Sequence, residues 1–188
     1  MRAPLLQRAI DHALDSVEGV TPAALALPTP CAGWDLGTLL HHLNDAFDVL
    51  AEGVCAGIIA SAPAVMDDAD ADDPAAVFRK RAERVLDACS RSEPTRRGGA
   101  AIADRRLPVD VVVTTVALEI AVHGWDAARA VGDRRPIPGR LALELLLLAP
   151  LLVDDAVRPG LFAPPVPVPP DAPPGDRLVA FLGRDPAA

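Results

Sequence analysis

A chain of 188 residues is long enough for one domain with a real core, and a hydrophobic content of 51% excludes a mostly disordered polymer. Aromatic residues are only 3% and tyrosine is absent, so the interior must be Leu, Val, Ala and Ile, in runs that favour helices over sandwiches. A net charge of -8 with no Lys/Arg-rich stripe argues against nucleic acid and against an anionic membrane surface as partners. Lys80 is the only lysine while Arg, Ala and Pro abound, which reflects a GC-rich genome more than chemistry.

The N-terminal segment carries Leu5, Leu6, Ile10, Ala13, Leu14 and Val17 at helical spacing, with Gln7, Arg8, Asp11 and Asp15 opposite. Gly19 and Pro22 end this first helix. Asp11, His12, Asp15 and Glu18 interrupt it, so it lacks the unbroken apolar core of a signal peptide. His12 reads as a surface or internally satisfied residue, with a ligand role as the alternative.

Pro28, Pro30 and Gly33 predict an extended loop over 28–33. A second helix then starts near Asp35, a suitable N-cap or first-turn carboxylate. Its apolar face runs from Leu36 and Leu39 through Leu43 and Phe47 to Ile58. His42 lies near that face and His41 points away from it. Asp45, one turn on, is placed either to hold the second ring nitrogen of His42 or to face solvent.

Residues 62–74 form an acidic loop without the central Gly and terminal Glu of an EF-hand, so it reads as a solvated linker capping the next helix. That third helix spans 74–89 on Val77, Phe78, Ala82, Val85 and Leu86. Residues 90–107 are irregular and basic, with a turn at Gly98-Gly99, a short strand as an option near Ala100–Ala103, and an Arg able to receive an acidic substrate. A fourth helix runs from Pro108 to Gly132, which suit its two ends. A very apolar fifth stretch, Leu141 to Val157, should kink or break at Pro150. A Pro-rich extension over 158–175 and a short helix or strand over 176–183 close the chain.

No uninterrupted apolar run reaches the roughly eighteen residues of a membrane span. Cys31, Cys55 and Cys89 are odd in number, widely spaced and without a C-x-x-C, so they are expected to be reduced. The expectation is a cytoplasmic protein with no membrane and no nucleic acid partner. The long apolar fifth helix also makes a homodimer a reasonable expectation.

The most informative spacing is Glu119-x-x-x-His123, an acid and an imidazole in an apolar run. Residues four apart on a helix are neighbours one turn apart. Four amphipathic helices suggest a four-helix bundle, and such bundles build metal sites from inward-facing side chains on different helices. The candidate ligands are His42, Glu119 and His123, which would leave an open position for water or substrate. Zinc, nickel and iron all suit two His and one carboxylate. An ion pair between Glu119 and an Arg remains the alternative. Asp126, one turn after His123, can orient it or act on substrate protons. Trp34 and Trp125 read as packing residues.

The segments PTPCAGWDLGTLLHHL and ALEIAVHGWDAARAVG together resemble the two signature stretches of the DinB-like, mycothiol-dependent maleylpyruvate isomerase N-terminal family. There a Trp opens the second helix with a His eight residues later, as Trp34 and His42 do, and a Glu-x-x-x-His-x-x-Asp motif follows, as in Glu119, His123 and Asp126. The ending GDRLVAFLGRDP resembles that of the stand-alone actinobacterial members. The resemblance implies an all-α, DinB-like four-helix bundle over 1–188 as a single domain, with an irregular or β insert near 98–106 and a Pro-rich C-terminal extension. It implies a divalent metal, usually zinc, on His42, Glu119 and His123. It further implies a small-molecule substrate and a thiol-dependent transferase or isomerase acting on a small electrophile, with mycothiol as co-substrate. A non-catalytic metal- or ligand-binding bundle is the alternative. The separate C-terminal domain of the isomerase is expected to be lacking, so maleylpyruvate itself is not implied. Cys31 reads as a loop-packing residue, with a nucleophile as the sharper alternative.

Overall fold

The computed structural model describes residues 3–55, 58–59, 73–91, 99–102, 105–154 and 156–188. The acidic stretch 62–72, the Gly98 position and Arg96 and Arg97 lie outside the described residues. The elements are α1 (Ala3–Val17), a 3-10 turn (Pro22–Ala24), α2 (Leu36–Cys55), β1 (Ile58–Ile59), α3 (Pro74–Arg91), β2 (Gly99–Ile102), β3 (Arg105–Pro108), α4 (Val109–Ala130), α5 (Gly139–Leu152) and α6 (Pro174–Phe181).

Helices α1 to α4 form the bundle as a closed ring. α1 packs on α4, α4 on α2, α2 on α3, and α3 returns to α1. The fold is therefore the expected all-α, DinB-like bundle. Each helix turns its apolar stripe inward: Leu5, Leu6 and Ile10 from α1, Leu39, Leu40 and Leu43 from α2, and Val116 and Ile120 from α4 are all buried. The rings of Phe47 on α2 and Phe78 on α3 meet at 5.0 Å.

Local chemistry sets the boundaries. Asp35 caps α2, its Oδ1 accepting from the Thr38 N–H at 2.8 Å, and Asp73 does the same for α3 through the Ala76 N–H at 2.9 Å. Gly132 ends α4 with φ +78, and the Asp133 and Gly132 N–H groups reach back to the Ala128 and Arg129 carbonyls. Gly124 lets α1 and α4 approach closely, because a Cβ there would lie 3.0 Å from the Cα of Ala13. The window Asp110–Ala130 of α4 is long and apolar enough to cross a membrane, but 83% of it is buried inside the protein, as befits a central bundle helix.

Two boundaries differ from expectation. α2 stops at Cys55, and Ile58 enters β1, which pairs in parallel with β2. α5 stops at Leu152 rather than Val157. Pro150 has no N–H to donate and its ring crowds the Leu146 carbonyl, so the helix survives only two residues beyond it. β2 and β3 pair antiparallel, with Ile102 opposite Arg105 and Gly99 opposite Pro108.

Past α5 the chain doubles back over one end of the bundle. Arg158 Nη1 donates to the carbonyls of Ala163 and Phe181. The Val166 N–H reaches the Ala180 carbonyl at 2.9 Å. α6 is a helix, and it packs against α5. A Cβ at Gly183 (φ +86) would lie 2.7 Å from Ala163, so only glycine fits where the end of α6 meets this return segment.

Candidate metal centre

α2 and α4 are neighbours, and they bring His42, Glu119 and His123 together. His123 Nε2 lies 3.1 Å from Glu119 Oε2, and His42 Nε2 lies 3.5 Å from the same oxygen. One donor atom from each residue falls within 4.8 Å of the others. Ligands at zinc distances in a tetrahedron are separated by about 3.3 Å, so the donor set fits a divalent ion of that size. Among the described residues no fourth His, Cys, Asp or Glu donor joins the three.

Burial is graded across the cluster. The side chain of His123 is 8% exposed, that of Glu119 28% and that of His42 38%, so the cluster opens towards solvent on the His42 side. Burial alone would raise the Glu119 carboxyl. Hydrogen bonds and charge from His123 and His42 outweigh that and hold it far below the usual carboxylate range. Among the described residues the side chains within reach of the Glu119 carboxylate oxygens are thus two imidazoles.

Asp126 stands behind His123. It is fully buried, and its Oδ2 lies 2.9 Å from His123 Nδ1. That contact turns Nδ1–H towards the carboxylate and leaves Nε2 facing Glu119. Burial would lower the His123 pKa, but the hydrogen bonds to Asp126 and Glu119 and their charges raise it to about 9. The same geometry keeps the Asp126 carboxyl low: burial pushes it up, and the His123 hydrogen bond and the Arg184 guanidinium overcome that push. Asp45 makes no hydrogen bond to His42 among the described residues, so carboxylate support goes to His123 alone.

Arg184 is the residue that sequence reasoning missed. It follows α6, and its Nη2 and Nε donate to Asp126 Oδ2 and Oδ1 at 2.9 and 3.3 Å. Its Nη1 donates to the Leu182 carbonyl at 3.0 Å. The signal for it is an Arg that directly follows the apolar run LVAFLG.

Trp34 is more than packing. It sits over the cluster, stacked on His123 at 5.9 Å and 23° and edge-on to His42 at 4.9 Å. The loop that carries it is pinned by Thr29, whose Oγ1 donates to the Trp34 carbonyl at 2.9 Å, and by the Trp34 N–H on the Cys31 carbonyl. Trp125 is a core residue with the Arg129 guanidinium over its ring. Cys31 belongs to the pinned loop. Burial pushes its thiol up, Arg184 opposes this in part, and Asp126 and Glu119 add to it, so the thiol stays protonated at neutral pH. That favours the loop-packing reading over a nucleophile. His12 is buried in α1 and far from a ligand role: burial, then the charge of Arg135, lowers it to about 4 against a hydrogen bond to the Ala121 backbone.

One cavity touches the cluster and a second lies beyond it, behind Arg184. The first, of about 10 Å³, is bounded by Glu119, Val122, His123, Phe162, Leu182 and Arg184. The other, about 380 Å³, lies between the Pro30–Ala32 loop and the return segment at Gly160–Ala163. Phe162, Leu182 and Arg184 border both.

Residues 6–128 match the family described as mycothiol maleylpyruvate isomerase N-terminal domain. The chain is also similar to uncharacterized proteins from two strains of Mycobacterium tuberculosis, 31% identical over 185 residues, covering 95% of this chain and 94% of theirs. No solved structure matches it. His42, Glu119, His123 and Asp126 all fall inside the matched region, whereas Phe162, Leu182 and Arg184 fall outside it.

Proposed function

The chain belongs to the mycothiol maleylpyruvate isomerase N-terminal domain family, and on that premise we propose that it is a divalent-metal-dependent thiol transferase or isomerase of the cytoplasm, acting on a small electrophile with mycothiol as co-substrate. His42, Glu119 and His123 would hold the ion, zinc before nickel or iron. The observation that carries this reading is the three-donor cluster on two helices, open towards solvent at His42. A three-ligand set with access is what a catalytic rather than a structural site requires.

A divalent ion held there would supply Lewis acidity, easing the ionisation of a thiol beside an electrophile. The protein's own groups do the rest. Asp126 fixes the tautomer and ring plane of His123. Arg184 balances the buried charge of Asp126 and ties the return segment to the site. Trp34 packs against the rings of His42 and His123 and holds them in place. The cavity of about 380 Å³ falls within the range of roughly 300–1,000 Å³ that accepts small organic ligands, and it is where the body of the substrate is received.

Metal analysis of the purified protein comes first: about one equivalent is expected, lost in Glu119→Ala. Mycothiol and a panel of small electrophiles are then supplied to the metallated protein and to His42→Ala. Equal rates in the two proteins would sink the catalytic reading. Metal binding without any thiol-dependent turnover would establish the non-catalytic alternative.

A further inference from the structure

The space beside the donors and the cavity under the return segment are neighbours that do not join. The smaller, about 10 Å³, reaches Glu119 and His123 and has room for no more than a water molecule. The larger, about 380 Å³, reaches neither of them, and Pro30, Leu161 and Ala163 are among its walls. Phe162, Leu182 and Arg184 border both spaces. A substrate body in the larger cavity therefore meets these three side chains before it meets the donors.

Two of the three are fixed. Leu182 is buried in the core. Arg184 is committed through Nε and Nη2 to Asp126 and through Nη1 to the Leu182 carbonyl. Moving its guanidinium aside would strand a fully buried carboxylate, which is costly. Phe162 differs, because its ring is only partly buried and has no polar tie. Its backbone, by contrast, is pinned. The Phe162 N–H donates to the Arg158 carbonyl at 2.9 Å, and Arg158 Nη1 donates to the carbonyl of the next residue, Ala163, at 3.0 Å. With the backbone held on both sides, rotation of the Phe162 side chain is the motion that opens the partition.

Resting on the metal and thiol reading above, we propose that Phe162 is the specificity-determining residue of this site. Its ring gates the passage from the larger cavity to the donors, and the room it leaves when turned sets the largest substrate body that can reach them. The passage favours uncharged, apolar groups. Its edges are Phe162 and Leu182, and the charge of Arg184 is already matched by Asp126. Phe162 touches the substrate on its way in and takes no part in moving protons.

Proton relaxation of benzyl alcohol on the full chain loaded with cobalt(II) tests this, with the zinc-loaded chain as the diamagnetic reference. The paramagnetic contribution falls steeply with distance, so it reports how near the probe comes to the donors. Phe162→Ala removes the ring and joins the two spaces, and should raise that contribution severalfold over the parent. Phe162→Leu, a smaller change to the same wall, should raise it less. Leu161→Ala, on the same turn but bordering the larger cavity alone, should leave it at the parent value. Approach from the open His42 side is common to every protein and cancels in the comparison. Equal relaxation in the parent and Phe162→Ala overturns the inference. So does a rise in Leu161→Ala as large as in Phe162→Ala, which would mark a loosened loop. A chain that takes up no cobalt overturns the metal reading, and the inference with it. In turnover with mycothiol, Phe162→Ala should shift the kcat/KM ratio of a bulky to a small electrophile by about tenfold or more. An unchanged ratio overturns the inference. Absent turnover counts against the thiol chemistry alone, because the relaxation result decides the gate by itself.

Discussion

Replacing Arg184 by methionine tests how the C-terminal return is coupled to the metal centre. The substitution keeps most of the apolar stem and removes the guanidinium. Asp126 is then left fully buried with only His123 as partner, and the Leu182 carbonyl loses its donor. Removing one member of a buried ion pair costs about 3–5 kcal/mol. Because the hydrogen bond from His123 survives, the lower end applies, about 3 kcal/mol. In a chain of 188 residues each kcal/mol moves Tm by roughly 2–4 °C, so thermal unfolding followed by circular dichroism should fall by about 6–12 °C. A second readout separates positioning from bulk stability. Asp126 is the group that holds His123, and loss of such a support lowers metal affinity by about 10–100-fold. Competition with a chelator, at a temperature where both proteins are folded, measures that. A Tm within about 2 °C of the parent together with unchanged zinc affinity would refute the reasoning. In a double-mutant cycle with Asp126→Asn the two losses should be clearly less than additive, because both variants break the same pair.

Three further outcomes are expected. His12 has a folded pKa lowered from 6.5 to about 4, so the folded state binds fewer protons than the unfolded one between those values. Its contribution is complete above pH 6.5 and is lost as pH falls towards 4, a change of about 3 kcal/mol. Urea unfolding of His12→Leu at a series of pH values should show that much less acid sensitivity, and parallel curves would contradict it. The imidazole of His123, with its pKa raised to about 9, is protonated in the metal-free protein near pH 7.5, and a ligand nitrogen must be free of its proton. Calorimetric zinc titrations in buffers of different ionisation heat should therefore reveal release of about one proton near pH 7.5, fading above pH 9; a buffer-independent heat would exclude it. Gly124→Val should lower stability by about 1–3 kcal/mol, because even its Cβ would press on Ala13, whereas Gly19→Val, with open space around it, should change little in packing.

The bundle was legible because its helices carry strong apolar periodicity, and so was the half of the centre that lies on one helix. Glu119, His123 and Asp126 are one turn apart, so a local period brings them together. His42 needed a second idea, that a bundle converges side chains from neighbouring helices. Arg184 was out of reach for a different reason. It meets Asp126 only through the return of a Pro-rich segment whose path no local period encodes. Spacing gives no sign that Trp34 stacks on His123, which depends on a loop shaped by Thr29. α5 stops earlier than its apolar pattern implies, because Pro150 breaks it although the apolar run continues beyond. Ile58 likewise continues the apolar face of α2 in sequence, yet it pairs with Ala101 in β2.

The pairing of Arg184 with Asp126 also orders events during biosynthesis. The ribosome delivers His42 well before Glu119 and His123, and Arg184 last of these. A nascent chain that has released only α1 to α3 carries a single imidazole of the set and cannot retain an ion at that position. Once α4 emerges the donors can meet, but Asp126 still lacks its countercharge until residue 184 has left the tunnel. An ion held by these three residues would therefore be captured late, by a chain already committed to its fold, with the choice among competing ions left to the shape of the finished bundle.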